Sequence, residues 1–327
     1  MKAKHLAAGA FFLIAISGLA LKPTTRSLPL WAYPVVAPPP PPPPGVVPPI
    51  DDTVKHVPGS SVGYTLTQIR DLNSPPDWFP ASHPRMPGIV NRGRKPAVFA
   101  CAYCHLPNGA GRPENESVAG LPAGYIIQQL ADFKNGARHS SEPRMNSVKA
   151  MVRVAKAVTD QEVRAAADYF ASIKPKPWIR VVETDKVPVT RIAGGMLVVD
   201  GQGKTEPIGE RIIEVPEDLP RTELRDSTSG FIAYVPIGSI KKGEHLVTTG
   251  GAGKTIRCAI CHGVALRGLG NVPSISGRSP SQMTRQLIDI QTGARNGPWT
   301  QLMKEPVAKL GNDDIVAITA YLASRRP

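Results

Sequence analysis

Apolar residues recur at helical spacing, every three or four positions, in two parts of the chain. In the first part they predict a middle helix and a closing helix, which Thr159 and Glu162 would start as a capping box. In the second part they predict the same two helices, with Asn312 as the N-cap of the closing one. The apolar positions are Ile126, Ile127, Leu130, Phe133, Val163, Ala166, Ala167 and Phe170, then Met283, Leu287, Ile290, Ile315, Ile318 and Leu322. Each part is predicted to be a small all-helical unit.

The pattern changes between these parts, at about residues 178–237. Runs rich in β-branched residues alternate there with turn residues, and the runs are WIRVVE, MLVVDGQG, ERIIEVP and FIAYVP. They predict a small sheet or an extended ribbon. The insert contains no catalytic constellation, so we interpret it as a spacer or an interaction surface.

The two helical parts are copies of one repeat, because short motifs recur in them in the same order and at the same separations. Each copy begins with a CxxCH unit, at Cys101 and at Cys258, and reaches a GAR triplet at the same distance after its histidine. A Gln-Leu pair, at Gln129 and at Gln286, also recurs with no gap between these anchors. We therefore expect one shared fold.

Residues 1–21 have the features of an export segment. Lys2 and Lys4 precede an apolar run that ends at Leu21, with a small-x-small cleavage site near Ala20. The run is also close to the shortest length that spans a membrane. A cleaved signal peptide and a retained inner-membrane anchor both remain open, and either one predicts a periplasmic location.

A polyproline run at residues 37–50 follows the export segment. Such a run stays extended and stiff because it lacks backbone donors, so it predicts a stalk. The predicted organisation is a signal peptide or membrane anchor at 1–21, a proline-rich stalk at 22–60, a first helical unit with an N-terminal extension at 61–177, the β-containing insert at 178–237, and a second helical unit at 238–327.

Composition and charge narrow the function. Aromatic residues make up only 6% of the chain, so each unit has little apolar bulk and would gain from a bound cofactor that serves as core material. Lys and Arg number 39 against 26 Asp and Glu, which gives a formal net charge of +13. This excess favours partners with acidic surfaces. Nucleic acid is not an expected partner, because the basic residues are dispersed and not interleaved with aromatic residues.

All four cysteines belong to the two CxxCH units. Their spacing suits thioether bonds to the two vinyl groups of one haem, and the next residue, a histidine, is then placed as the first axial ligand of the iron. A redox-active dithiol would need a βαβ context, and a zinc site would need both pairs to converge on one ion. The sequence therefore predicts two covalently bound haem c groups, attached at Cys101, Cys104, Cys258 and Cys261 and ligated by His105 and His262.

The sixth ligand of each iron decides the chemistry, since a methionine there closes the site and suits electron transfer. Met303 is the only methionine between the GAR triplet and the closing helix of the second copy. In the first copy, Met145 is the closer counterpart when the distance is measured from the GAR triplet, and Met151 is the counterpart when it is measured from the closing helix. We prefer Met151, because the loop can absorb an insertion, and Met145 is the alternative. His139 corresponds to Asn296, so we interpret it as a surface residue.

These motifs together resemble the tandem di-haem class I cytochromes c of the cytochrome c4 type. The resemblance rests on CAYCHLPNGAGRP, YIIQQLADFKNGAR and MVRVAKAVTDQEVRAAADYFAS, and on CAICHG, VPSISGRSPSQMTRQLIDIQTGAR and MKEPVAKLGNDDIVAITAYLAS. It covers about residues 96–175 and 238–326 and implies a small all-helical cytochrome c domain in each range. The β-containing insert is not part of a compact tandem cytochrome, so the predicted fold is mainly α, with two such domains joined by the insert. The resemblance also implies His/Met ligation of both irons, by His105 with Met151 and by His262 with Met303.

The resemblance implies one-electron transfer between periplasmic or membrane redox partners, by an electron-transfer protein rather than an enzyme. The expected partners are redox proteins with acidic docking surfaces, including a dehydrogenase or oxidase complex, with inner-membrane association if the anchor is retained. Two alternatives stay open, a di-haem cytochrome c peroxidase and the cytochrome subunit of a periplasmic dehydrogenase complex. A methionine available to each iron disfavours the peroxidase.

Overall fold

The computed structural model describes residues 28–36 and 51–327. The predicted export segment and the polyproline run at 37–50 lie outside these residues. Within the two described ranges, no helix is both long and apolar enough to cross a lipid bilayer.

Helices predominate in these ranges, with a smaller share of strand, as the sequence predicts. The α-helices are α1 (Leu66–Ile69), α2 (Gly88–Asn91), α3 (Cys101–His105), α4 (Ala123–Lys134), α5 (Asn146–Ala157), α6 (Asp160–Ser172), α7 (Leu219–Glu223), α8 (Ser239–Thr249), α9 (Ala259–His262), α10 (Pro280–Gln291), α11 (Gln301–Ala308) and α12 (Asn312–Ser324). The strands are β1 (Ile179–Glu183), β2 (Lys186–Pro188), β3 (Thr190–Ala193), β4 (Met196–Val199), β5 (Thr205–Pro207), β6 (Ile213–Pro216) and β7 (Phe231–Val235). Short 3-10 helices occur at Leu30–Ala32, Pro80–Ser82 and Pro298–Thr300.

The first helical unit is built from α3 to α6. Its predicted middle helix is α4 and its predicted closing helix is α6. The expected capping box is present, because Thr159 Oγ1 accepts the Glu162 N–H at 3.2 Å and Glu162 Oε2 accepts the Thr159 N–H at 2.8 Å. Helix α5, which was not among the predicted helices, packs against α4 and carries Met151.

The second helical unit consists of α8 to α12. The predicted middle and closing helices are α10 and α12. The predicted cap of α12 is wrong by one residue: the N-cap is Gly311, and Asn312 is the first helical residue. The Asp314 carboxylate in the first turn accepts the N–H of the N-cap residue, Gly311, at 3.0 Å.

Helices α8 and α12 cross at close range, and Gly243 makes this crossing possible. A Cβ atom at position 243 would meet the carbonyl oxygen of Ala317 and would lie 2.7 Å from the Cβ of Tyr321. Only the absence of a side chain allows the backbones to approach this closely. The crossing holds the segment before Cys258 against the closing helix.

The insert folds into small sheets. β7 is central in a three-stranded sheet, parallel to β1 and antiparallel to β6. β2 pairs with β5, and β3 pairs with β4 through a turn at Gly194 and Gly195, both with positive φ. The four runs read from the sequence correspond to β1, β4, β6 and β7.

The three-stranded sheet packs against the closing helix of the second unit. Val316 and Ala320 of α12 share a buried cluster with Ala233 and Val235 of β7. Strand β6 contributes the buried carboxylate of Glu214, which accepts hydrogen bonds from the Ser279 and Ser281 hydroxyls at 2.7 and 2.5 Å. The insert is therefore anchored to the second unit rather than acting as a loose spacer.

Residues 28–36 differ from the extended stalk predicted for 22–60. Ala32 and Tyr33 are buried in the core cluster of the second unit. Tyr33 donates its hydroxyl hydrogen to Asp289 Oδ1 at 3.0 Å, and Arg285 donates to the Ala32 carbonyl at 2.8 Å. Burying the apolar side chains of Trp31, Ala32 and Tyr33 is more favourable than leaving them in water, as an extended stalk would.

The N-terminal extension of the first unit gives a pH-dependent contact. His83 Nε2 lies 3.0 Å from Asp77 Oδ1, and this hydrogen bond raises the pKa of His83 despite the opposing effect of burial. The hydrogen bond therefore stabilises the folded state fully when the pH is below the pKa of His83 in the unfolded chain, about 6.5. This stabilisation is lost as the pH rises through the pKa of His83 in the folded protein.

We expect His83→Gln to lower the free energy of unfolding by about 1 kcal/mol at pH 6 and by less at pH 9. Urea unfolding at both pH values measures this difference. Asp77→Asn should reduce the dependence of the unfolding free energy on pH in the same way. If the stability difference between the wild-type protein and His83→Gln were larger at pH 9 than at pH 6, the assignment would be wrong.

Candidate functional site

Each CxxCH unit forms a single helical turn. Helix α3 spans Cys101–His105, and Cys258 is the N-cap of α9. All four cysteines are free of disulfide bonds. Burial raises the pKa of Cys101 to about 12 and that of Cys258 to about 11, so both thiols are neutral at pH 7.

Both histidines are oriented by their backbone surroundings. His105 Nδ1 lies 2.7 Å from the Glu116 carbonyl oxygen, and His262 Nδ1 lies 2.8 Å from the Pro273 carbonyl oxygen. A carbonyl only accepts, so the proton is on Nδ1 and the Nε2 lone pair is free for a metal. Burial lowers the pKa of both imidazoles, which keeps them neutral as iron ligands require.

A large cavity opens between α3, α4, α5 and α6 of the first unit. Cys101, Cys104, His105 and Met151 all line it. Its walls are mainly apolar, and they include Ile89, Phe99, Val118, Leu121, Ile126, Leu130, Phe133, Val148, Val154, Val158, Val163, Ala166 and Phe170. Two thiols, a free imidazole nitrogen and a thioether facing one apolar cavity are the donor set that a covalently attached haem requires. These residues fit the group.

The two methionines considered for the first iron occupy different places. Met151, on α5, lines the cavity together with His105. Met145 is the N-cap of α5, is buried, and packs into the core cluster of the second unit. Met303, on α11, is half-buried and contacts that second cluster, as does Cys258. His139 is exposed, as expected for a surface residue.

One end of the cavity is polar and is shared between the two units. Arg138 of the first unit and Gln286 and Arg285 of the second line it. Arg138 donates to Gln129 at 3.0 Å and to Gln286 at 2.8 Å, and Arg295 donates to the same two glutamines at 2.9 and 3.1 Å. Each of the two repeat-related arginines thus donates to a glutamine of its own unit and to one of the other unit.

This arginine pair is the main feature of the site that the sequence analysis missed. Arg138 and Arg295 end the two GAR triplets, which served there only to align the repeat. Two arginines at equal offsets in tandem copies were nevertheless a usable signal, because related positions meet when two copies pack about a pseudo-twofold axis. The backbones pair directly as well, through the His139 N–H to Ala294 and the Asn296 N–H to Ala137, at 2.8 and 2.7 Å.

A zinc site would require both cysteine pairs to converge on one ion. Across the residues that the structure describes, there is no group of three or more His, Cys, Asp and Glu side chains that could hold a metal ion. The two cysteine pairs belong to separate helical units, each with its own histidine.

Comparison with known proteins agrees with this site. A family model described as cytochrome c matches residues 90–174. A cytochrome c4 from Stutzerimonas stutzeri is 30% identical over 233 residues, which cover 69% of this chain and 84% of that protein. A thiosulfate dehydrogenase electron acceptor from Stutzerimonas stutzeri (strain A1501) is 25% identical over 235 residues, covering 71% of this chain and 82% of that protein.

Among solved structures, reduced recombinant cytochrome c4 from Pseudomonas stutzeri aligns with 69% of this chain and 93% of its own, at 22% identity and a TM-score of 0.45. The sequence relationship to the Stutzerimonas stutzeri protein covers more than two thirds of each chain. The chain therefore belongs to the cytochrome c4 family: it is a di-haem class I cytochrome c that carries two covalently bound haem c groups and transfers electrons.

Proposed function

We propose that His105 and Met151 ligate one haem iron, that His262 and Met303 ligate the other, and that the protein exchanges single electrons with redox proteins in the periplasm. The observation that carries the ligand proposal is the cavity of the first unit, which Met151 lines together with Cys101, Cys104 and His105. Bound haem c supplies a one-electron couple at its iron. A methionine in the sixth position keeps small molecules from the iron and raises its reduction potential.

The chain's own residues prepare this site. The Glu116 and Pro273 carbonyls hold the two imidazoles in a fixed tautomer, and the apolar walls of the first cavity exclude water. Arg138 places positive charge at the polar end, which disfavours the oxidised, more positive state of the bound group. These features suit a carrier with little reorganisation on electron transfer.

The names of two relatives support a dehydrogenase as the electron donor. One is named a thiosulfate dehydrogenase electron acceptor, and another, from Chlorobaculum tepidum, a cytochrome subunit of sulfide dehydrogenase, which matches 30% of this chain. We propose that this chain likewise accepts electrons from a periplasmic oxidoreductase with an acidic docking surface. The export segment at 1–21 supports the location, with a retained inner-membrane anchor as one of its two forms.

Replacing the proposed sulfur ligands tests the function. We expect Met151→Ala to remove half of the sulfur-to-iron charge-transfer absorbance of the oxidised protein and to lower one midpoint potential, because the iron loses its thioether. Met303→Ala should do the same for the other haem. Optical and EPR spectra with a potentiometric titration measure these changes.

Met145→Leu is the matched control. It removes a thioether of the same segment while keeping apolar bulk at the boundary between the units, so it should leave the sulfur band intact. Loss of the band in Met145→Leu but not in Met151→Ala would reverse the assignment. A high-spin wild-type haem that reacts with added peroxide would support the peroxidase alternative instead.

A further inference from the structure

The two haem-attachment turns differ sharply in how much of their surface is covered. At most offsets from His105 and His262 around the two turns, the residue of the second unit is the more exposed one, although His262 itself is buried and His105 is half-buried. Three pairs that differ in this way are Tyr103 and Ile260, Pro107 and Val264, and Arg112 and Leu269. Val264 is 97% exposed while Pro107 is buried, and Leu269 is 66% exposed while Arg112 is 9% exposed. Repeats with one fold therefore present one covered face and one open face.

A segment of the insert covers the first face. We call residues 219–230, which comprise α7 and the loop after it, the cover segment. Arg225 donates from Nη1 to the Tyr103 carbonyl at 2.6 Å, and its guanidinium lies 3.6 Å from the centroid of the Tyr103 ring. Asn108 donates to the Ser227 carbonyl at 2.7 Å. These contacts place the cover segment directly over the attachment turn of the first haem.

The cover segment is also fixed from its other side. Trp78, a fully buried residue of the N-terminal extension, donates from Nε1 to the Leu224 carbonyl at 2.9 Å. Arg225 has φ +57, a left-handed conformation that is unfavourable for a residue with a Cβ atom and is held here by its contacts. The cover segment is thus held in place by specific contacts on both of its sides.

The second attachment turn has an apolar surface, which we call the open face. It comprises Ile256, Ile260, Val264, Leu269, Trp299 and Leu302, and all of these residues are exposed. Thr255 donates its hydroxyl hydrogen to the Pro306 carbonyl at 2.7 Å, which joins the attachment segment to α11, where Leu302 lies one turn before Pro306. Exposed apolar residues grouped in this way are typical of an interaction site.

Basic residues border the open face. Arg257, Arg267 and Lys304 are exposed, and none of them has an ion-pair partner among residues 28–36 and 51–327. Glu305 is the only acidic residue in the segments 250–270 and 296–309. An apolar centre with a mainly basic border is complementary to a protein surface with an apolar centre and a carboxylate border.

We propose that the cover segment closes the first haem to partner proteins, so that electrons enter and leave this cytochrome at the open face, which docks a redox protein with an apolar patch bordered by carboxylates. This proposal rests on the electron-transfer function above. The first haem then exchanges electrons with the outside through the second. Each exchange moves one electron across the open face and changes the charge of one iron by one.

Stopped-flow oxidation of the fully reduced holoprotein by ferricyanide tests the closure. Two ferricyanide ions take up the two electrons and become ferrocyanide. We expect one phase whose rate rises linearly with ferricyanide concentration, and a second phase whose rate reaches a plateau, because electrons of the first haem must first reach the second haem. Arg225→Gly relieves the left-handed backbone and removes the guanidinium, and it should make the second phase depend on concentration too. Two linear phases in the wild-type protein would overturn the closure.

Reduction by a reduced plant-type ferredoxin, an acidic one-electron donor, tests the docking surface. Arg257→Glu with Lys304→Glu should slow this reduction by about tenfold at low ionic strength, with little difference at high salt. The matched control, Arg164→Glu with Lys174→Glu, makes the same charge change at exposed positions of the first unit and should slow it by less than about twofold. Equal slowing in both variants would overturn the open face as the docking site.

Two further measurements separate this proposal from its alternatives. Spectra that show two haems without sulfur ligation would contradict the proposed ligands and leave the ferricyanide result intact, so the two failures are distinguishable. Sedimentation velocity at the assay concentration detects a second copy of the chain on the open face. A dimer that Ile260→Glu dissociates would overturn the assignment of this face to a different redox protein.

Discussion

Replacing Gly243 with alanine is expected to lower the free energy of unfolding by about 3 kcal/mol, although alanine is the better helix former. The new Cβ would meet the carbonyl oxygen of Ala317 and the Cβ of Tyr321, which belong to the core of α12. Neither is the flexible end of a side chain, so α8 and α12 would have to move apart. Valine should have a larger effect than alanine. Chemical unfolding of the holoprotein, followed by far-UV circular dichroism, measures the loss.

Gly88→Ala is the matched control, because Gly88 is also helical, has no positive φ, and would place its Cβ in open space. We expect it to leave stability unchanged or slightly higher. The loss in Gly243→Ala should also reach the second haem, since α8 leads into the segment of Cys258, and the sulfur band of that haem should weaken on mild heating. Equal stability of the two alanine variants would show that the crossing is not tight.

The sequence predicted the chemistry of the site better than the packing around it. The CxxCH units and the middle and closing helices follow from local spacing, and the Thr159 capping box forms as expected. Helix α5 was not predicted although Val148, Met151 and Ala155 recur in it at helical spacing, and what its own sequence does not contain is where the helix packs. Its N-cap, Met145, is buried in the core of the other unit, and Ser141 just before it donates to Asp289 at 2.9 Å. No local pattern encodes such partners.

The insert shows the same limit. Its strands could be read from β-branched runs, but the cover segment could not be assigned a role. Arg225 and Tyr103 are far apart in sequence, and although Tyr103 is a variable position of the first CxxCH unit, Arg225 belongs to no motif. The predicted cap at Asn312 failed for a smaller reason: Gly311, Asn312 and Asp314 offer overlapping capping options, and the carboxylate at Asp314 takes the N–H of Gly311.

The covered and open faces give the two haems different roles in spite of their shared fold. The first lies under the cover segment and against the boundary between the units, where its cavity reaches residues of the second copy. The second attachment turn faces outward. The polar boundary lies between the two units, and Arg138 links both copies where they line the first cavity.

Replacing Arg138 with glutamine is expected to lower the midpoint potential of the first haem and to reduce the free energy of unfolding by roughly 3 kcal/mol. Arg138 donates to Glu116 at 3.0 Å as well as to both glutamines. Burial alone would raise the pKa of Glu116, but Arg138, with Arg295 and Arg278, holds it below its usual range. Without Arg138 this carboxylate stays buried beside the iron ligand, and its negative charge favours the oxidised iron.

The double variant Glu116→Gln with Arg138→Gln separates charge from geometry. It removes both partners of the ion pair, so we expect it to recover most of the lost stability and to bring the potential back toward that of the wild-type protein. The His105 imidazole should stay in place in either variant, because it bonds to the backbone carbonyl of Glu116 and not to its carboxylate. Spectroelectrochemistry and urea unfolding of the single and double variants measure both effects. A double variant with a potential as low as that of Arg138→Gln would show that the arginine acts by shaping the boundary between the units and not through its charge.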